Sequence, residues 1–255
     1  MAMSSCLMPK ARRSNRALGL SVLLLWTAIC VFPFFWMLVS SFKPPDKIFS
    51  YPPEFIPTDP TLEHYIALPA LIPSIGWNAV NSIALAVFTP LFGVFFSSLA
   101  GFAFAKFNFR GKDTLFVIVV LTQLIPPAAG FIPLFIEMIN LKLIDTLWAV
   151  FLPGIVPAFG IFLFRQAIYS VPDELLDAGR IDGAGSFMLY RRVVIPLVMP
   201  MVLTQYILGF IGSWNNFLWP LIALRSPQNY TLPVALASLQ GLPFRTPWGT
   251  IMAGA

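Results

Sequence analysis

An all-α, polytopic membrane protein is the fold class this sequence predicts, and three observations predict it. Apolar residues make up 58% of the 255 and charged residues only 11%, against roughly 45–50% and about 25% in soluble domains. With 25 Phe and 7 Trp and a mean hydropathy of +0.80, a water-soluble fold of this size would expose too much apolar surface. The charges are also kept out of five long runs, each able to supply the ~20 residues that cross ~30 Å of hydrocarbon.

The first run spans 17–42 without a charge, longer and more aromatic than the core of a cleaved leader, and reads as an uncleaved helix. The second helix is expected over 75–105, after Pro73, with Ser97, Gly101 and Ala105 four residues apart for close helix packing. Further spans are expected near 115–136, 146–164 and 198–222. The stretch from Trp248 to Ala255 reads as the opening turns of a truncated sixth. The whole of 1–255 is read as one membrane domain.

Proline numbers 24, about twice the usual share. Eight lie between Lys43 and Pro73, predicting an extended cap with little regular helix and an exposed His64. Pro126, Pro127 and Pro133 fall in the third span and Pro153 and Pro157 in the fourth. Each removes a backbone hydrogen bond, which in a bilayer is tolerated only against protein or a watery cavity. Broken helices facing a bundle interior are therefore expected, and a path across the membrane would lie there.

Eleven of the 16 Lys and Arg fall in the amino-terminal tail and after the second and fourth spans: Lys10, Arg12, Arg13, Arg16, Lys106, Arg110, Lys112, Arg165, Arg180, Arg191 and Arg192. Lys43, Lys47, Lys142, Arg225 and Arg245 occupy the opposite segments. The positive-inside rule then puts the amino terminus in the cytoplasm. The net charge of +5 forms no continuous basic stripe, so no nucleic-acid partner is implied. Cys6 and Cys30 make neither a disulfide framework nor a metal spacing.

The loop over 170–192 is charged but patterned. Pro172, Asp173 and Glu174 suit a helix start, while Leu175, Leu176, Ala178 and Ile181 give an apolar stripe. Asp182 is expected to cap a second short helix, with Gly183 making the turn between the two. The result is a small two-helix knob projecting from the membrane.

Within this loop, Asp177-Ala178-Gly179, then Gly183, then Val193-Val194-Ile195-Pro196 nine residues later, resembles the Glu-Ala-Ala, three residues, Gly, nine residues, Ile-x-Leu-Pro motif of ABC importer permease subunits. Asp177 stands for Glu and Gly179 for Ala. The resemblance is greatest to the carbohydrate-type, maltose-permease-like branch, through Asn81-Ser82, Ala100 to Ala105, Ile132 to Phe135, Arg180 to Ala184 and Trp214 to Phe217. It covers nearly the whole chain.

The resemblance implies a coupling helix that sits in a groove of an ATPase subunit and passes nucleotide-driven closure to the spans. Asp177 would pair with a basic ATPase residue, Ala178 and Gly179 would allow close approach, and Gly183 would make the turn, with Asp182 beside it in the same coupling loop. It further implies a bacterial inner-membrane complex with a second homologous permease, making a heterodimer, two ATPase subunits and an extracytoplasmic solute-binding protein, surrounded by lipid. ATP and Mg would bind the ATPase partners. This chain is expected to hold no cofactor or metal, because Gly111-Lys112 is followed by Asp113 and lacks the phosphate-loop pattern. The cargo implied is a sugar or a sugar-derived solute.

Polar side chains in apolar spans are costly and need reasons. Asn78, Asn81, Gln123, Gln205, Trp214, Asn215 and Asn216 are candidates for the solute path, and interhelical hydrogen bonding is the other explanation for the amides. By the same resemblance, Gln240 and Gly241 belong to an outer loop that would probe the binding protein. An intramembrane enzyme or a receptor-like protein is the alternative class. No nucleophile with a base, and no metal cluster, is visible at membrane depth for an enzyme.

Overall fold

A computed structural model describes the backbone of residues 11–241 and 246–255 and the side chains from residue 19 onward. Cys6 and Lys10, the side chains of Arg12, Arg13 and Arg16, and Arg245 lie outside the described residues. Among the described residues every regular element is helical, with the α-helices in the order α1 (Ala11–Ser40), α2 (Glu63–Leu71), α3 (Ile75–Lys106), α4 (Lys112–Leu121), α5 (Phe131–Asn140), α6 (Leu147–Gly154), α7 (Ala158–Tyr169), α8 (Asp173–Ile181), α9 (Ser186–Leu189), α10 (Ile195–Leu197), α11 (Met199–Trp214), α12 (Leu218–Ala223), α13 (Leu232–Ser238) and α14 (Trp248–Gly254). Contacts group these into two compact units inside the stretch read as one domain. The larger is Ile72–Ser238, and the smaller joins the chain up to Leu71 with the chain from Leu239.

Three described helical segments are long and apolar enough to cross a membrane: Gly19–Ser40, Ile75–Lys106 and Leu147–Tyr169. Two bent pairs raise the number to five if each pair is one span. Lys112–Leu124 meets Pro127–Asn140 at 99°, and Ser186–Leu197 meets Met199–Trp214 at 81°. These five correspond to the five charge-free runs. The third run is thus two arms and not one rod, because Pro126 and Pro127 halt the helix as their missing N–H groups require. Pro133 costs α5 nothing by comparison, since it occupies the first turn, where backbone N–H groups have no partner within the helix.

The larger unit is organised on α3, about 48 Å long at 1.5 Å per residue. Its expected small-residue face is real. A Cβ built on Gly101 would lie 2.6 Å from the Phe164 Cβ and 2.9 Å from the Arg165 backbone N, while one on Gly160 of α7 would lie 2.7 Å from the Ser97 Oγ. Toward α11, Pro90 of α3 occupies the space that a Cβ on Gly209 would need. Three small-residue contacts therefore let α3 touch two neighbours with almost no side chain between. At the Lys106 end an apolar core gathers Phe102, Phe164, Ile168, Leu176, Leu189, Tyr190 and Val194. The hydroxyls of Ser98 and Tyr190 bond within it at 2.7 Å.

Third-span burial departs from expectation. No residue of α4 is buried, and only the arm after the bend turns residues inward, so the interior-facing role passes to Pro127, Gly130 and Phe131. Arg165 lies inside the helical length of the fourth span. Its guanidinium covers the Phe116 ring at 4.1 Å, a favourable place for a cation.

In the smaller unit the α1 span buries none of its apolar window, as a lipid-facing helix does. The segment after it corrects two expectations. A helix, α2, forms inside the Pro-rich stretch because the Thr61 Oγ1 accepts the Glu63 N–H at 3.1 Å, which satisfies one orphan donor at its start. His64 on that helix is buried, not exposed. Its Nε2–H donates to the Lys43 carbonyl at 2.8 Å, and its ring fills the space beside Gly249 of α14. Lys43 is buried as well, with its ammonium 4.0 Å from the centre of the Trp36 ring. The sixth predicted segment is helical from Trp248 to Gly254.

Because both atoms facing Gly101 belong to backbone or to a Cβ, neither can swing aside. We expect Gly101→Val to force α3 and α7 apart at about 1–3 kcal/mol or more, measured as a lower midpoint of unfolding in mixed detergent. An unchanged midpoint would contradict the close contact.

Candidate functional site

Two features of the larger unit have functional geometry, a projecting knob and a cavity. The knob is α8, a turn and α9. Pro172 is extended and lacks the N–H that a preceding turn would use. Asp173 and Glu174 fill the first turn and Arg180 the last, as the helix dipole favours. The turn is a complete Schellman end: Gly183 has φ +82°, its N–H donates to the Arg180 carbonyl at 3.0 Å, and the Ala184 N–H donates to the Gly179 carbonyl at 2.9 Å. Gly183 therefore does what the sequence predicted. Asp182 does not, because it occupies the C-cap of α8, while Gly185 stands at the N-cap of α9 without a side-chain bond.

The predicted apolar stripe divides in two. Leu176 is 1% exposed and plugs into the core under the knob, whereas Ile181 is 87% exposed, with Leu175, Phe187 and Met188 also uncovered. Gly179 faces inward, since a Cβ there would overlap the Leu189 side chain. The Gly at this position thus serves packing between α8 and α9. Ala178 is exposed. Asp177 binds Arg180 of its own helix at 2.7 Å, with both side chains more than half exposed. Where α8 begins, Lys106 at the end of α3 donates to the Val171 carbonyl at 2.6 Å and to an Asp173 carboxylate oxygen at 2.7 Å. The ammonium group beside Asp173 lowers the pKa of its carboxyl below the ordinary value.

The cavity measures about 530 Å³. Its walls come from α3, the bend before α5, α5 itself, α6, the break before α7, α11 and the start of α12, and they combine Pro127, Pro153 and Pro157 from the breaks with Pro90, Gly93, Gly209 and Gly212 from within continuous helices. Its polar groups are Thr89, Gln205, Ser213 and Asn216, with Phe131 and Trp219 as aromatic walls. The Thr89 Oγ1 and Gln205 Oε1 are buried without a hydrogen-bond partner, a costly state unless a hydroxyl or water reaches them. The Trp219 indole N–H is committed to the Ala149 carbonyl at 2.9 Å, and its ring stacks on Phe131 at 6.0 Å. Hydrogen-bonding oxygens beside aromatic faces suit a polyhydroxylated solute with apolar ring faces.

Of the predicted path residues, the structure brings Gln205 and Asn216 together on this cavity. Asn78 and Asn81 lie elsewhere, at the start of α3. The Asn78 amide donates to the Pro227 and Tyr230 carbonyls at 2.8 and 2.9 Å, and Asn81 donates to those of Gln228 and Tyr230 at 3.0 and 3.1 Å. Gln123 is exposed on a 3-10 turn. Trp214 stacks on Phe210, and Asn215 bonds the Ile211 carbonyl within its own helix. Sequence reasoning missed Thr89, Ser213 and Trp219. Thr89 and Ser213 carried a signal, as polar residues within charge-free runs.

The loop that Asn78 and Asn81 hold is gripped from its other side by Asp145. Its carboxylate accepts the N–H groups of Arg225 and Ser226, each at 2.8 Å, and the Ser226 hydroxyl. Partial burial works against the charge, but the Ser226 hydroxyl and N–H, the Arg225 N–H and the Asn229 amide outweigh it and lower the pKa to about 2. In the smaller unit, Gln240 and Gly241 are exposed on the turn Leu239–Gly241, and Leu242 beyond them lies outside the described residues. Among the described residues no three His, Cys, Asp or Glu side chains gather as metal ligands would.

Comparison with known proteins gives a consistent result. The protein family described as "binding-protein-dependent transport system inner membrane component" matches residues 93–255. The arabinooligosaccharides transport system permease protein AraQ of Halalkalibacterium halodurans is 35% identical over 230 residues, covering 89% of this chain and 82% of that protein. The lactose transport system permease protein LacG of Rhizobium radiobacter is 31% identical over 245 residues, covering 95% and 88%. A solved bacterial ABC transporter involved in the import of the acidic polysaccharide alginate shares the fold, with a TM-score of 0.83 at 21% identity over 98% of this chain and 93% of that one.

Asp145 yields a pH prediction with a definite sign. A carboxylate whose folded pKa is lowered stabilises the fold above its ordinary pKa of 3.8, and the contribution is lost as pH falls through about 2. Because the group is partly solvated, the effect is discounted to ~1–2 kcal/mol. Thermal unfolding of the detergent-solubilised chain is expected to show the loss between pH 4 and 2, and Asp145→Asn to flatten that part of the profile.

Proposed function

The chain belongs to the family of binding-protein-dependent transport system inner membrane components, and from that premise we propose how it works as the membrane-spanning permease subunit of an ATP-driven importer of a sugar or sugar-derived solute. The observation that carries the reading is the knob. A helix plugged into the core by Leu176 and ended by a Schellman turn leaves Leu175, Ile181, Phe187 and Met188 uncovered, a rigid apolar surface on a protruding loop. Such a surface fits a groove in an ATPase subunit. Asp177 would exchange Arg180 for a cation of that partner.

The charge asymmetry puts the knob and the amino terminus in the cytoplasm of a bacterial cell whose inner membrane holds the chain. In this reading the complex has a second, homologous permease forming a heterodimer with this one, and two ATPase subunits that bind ATP and Mg. Gln240 and Gly241 face an extracytoplasmic binding protein. Transport then needs no chemistry in this chain. Nucleotide closes the ATPase pair, the knob follows, and the spans shift between two states that bind the solute from opposite sides.

The solute's hydroxyls would meet Thr89, Gln205, Ser213 and Asn216, and its ring faces Phe131 and Trp219. Asn78 and Asn81 hold carbonyls and serve the outer loop, so they leave the proposed contact set.

Gentle detergent extraction followed by native mass measurement tests the assembly. Co-isolation of a second permease and two ATPase copies is expected, and a chain that runs alone in several mild detergents would overturn the reading. Gly183→Pro is expected to leave the chain in the membrane. Proline cannot take the φ of +82° seen here, so uptake per ATP should fall about tenfold or more, the scale of a coupling free energy of ~1–3 kcal/mol.

A further inference from the structure

We propose that Lys106 is a positioning residue for transport, its ammonium pinning the start of the knob helix α8 to the end of the cavity-lining helix α3 so that the two move as one piece. The inference rests on the coupling role argued above and names the device that transmits it within this chain.

Three contacts hold α8. Leu176 is buried in an apolar core, but hydrophobic contact is non-directional and lets a helix rock about the plug. Gly179 packs on Leu189, an apolar contact that joins α8 to α9 with no directional bond to a span. Lys106 alone of the three makes directional bonds from a membrane-spanning helix, to the Val171 carbonyl at 2.6 Å and to Asp173 at 2.7 Å. Under the same end of α8 lies a space of about 400 Å³ bounded by Val171, Pro172, Leu175, Leu197 and Met201. The helix has room to tilt there, and Lys106 marks where it cannot.

Burial decides which bond matters. The Lys106 side chain is 5% exposed, while that of Asp173 is 76% exposed. An ion pair open to water on one side holds weakly, whereas the covered ammonium donating to a main-chain carbonyl keeps a fixed position. Asp173 adds orientation, and the Val171 carbonyl adds the anchor. From Lys106, α3 runs without interruption back to Gly93, Pro90 and Thr89 on the cavity wall. Displacing the start of α8 therefore displaces a rod whose other part faces the solute.

The test uses the whole transporter, reconstituted in liposomes with its ATPase subunits and the binding protein that co-isolates. Cys6 and Cys30 are replaced by Ser, and Ser213→Cys provides a cavity thiol. A membrane-impermeant maleimide added on the ATPase side reads access to that thiol with and without Mg-ATP and vanadate. In the parent, nucleotide is expected to protect the thiol. Lys106→Met, which keeps the apolar stem, should lose about fivefold or more of that protection while still hydrolysing ATP, and Lys106→Arg should regain it. Protection in Lys106→Met equal to the parent overturns the pinning role and leaves the coupling reading standing. Absence of protection in the parent, or failure of the ATPase to co-isolate with it, overturns the coupling reading and this inference with it. If Lys106→Met does not assemble, the exchange Lys106→Asp with Asp173→Lys decides by the same comparison. Restored protection in the exchanged pair would then show that the ion pair suffices without the Val171 bond and would overturn the anchoring role given to that carbonyl, whereas failure of an assembled exchange upholds it.

Discussion

Inside hydrocarbon, a backbone N–H or C=O without a partner is worth several kcal/mol of destabilisation, and the architecture of the larger unit follows from how this chain meets that cost. The third to fifth spans are interrupted at Pro126 and Pro127, at Pro153 and Pro157, and at Val198. Each interruption frees main-chain groups. Pro127, Pro153 and Pro157 line one cavity, together with four polar side chains and two aromatic rings.

That solution demands a rigid reference against which broken helices can be placed. α3 supplies it. Ser97, Gly101 and Pro90 bring α7 and α11 to near backbone contact, so the distances between these three helices are set by main chain and not by flexible side chains. At the two ends of α3 the contacts change character. Asn78, Asn81 and Ser82 fasten its start to the loop before α13 through amide and hydroxyl bonds, while the Lys106 ammonium joins its end to the Val171 carbonyl and to Asp173 at the start of α8.

The parts legible in the sequence were those encoded by local physics. Charge-free runs located the spans because exclusion of charge is a property of each residue in lipid. Gly183 announced its turn because few other residues tolerate a positive φ. Pro126 and Pro127 announced a break, though not the 99° between its arms. The parts that misled depend on partners distant in sequence. An amide is the same residue type whether it meets a solute or a carbonyl, so Asn78 and Gln205 looked alike until Pro227 and Tyr230 came into place beside one of them. His64 was read from its proline-rich neighbours, but its burial is decided by Lys43 and Gly249, far away along the chain. Asp182 had the right chemistry for a cap, but α9 begins too late to use it.

The pairing of charges on the knob has a consequence for how a partner finds it. Asp173 already holds Lys106 and Asp177 already holds Arg180, so much of the acidity that the sequence displays is neutralised within a few ångströms. Such dipolar pairs produce a field that fades quickly with distance. These two pairs therefore contribute little attraction beyond a few ångströms.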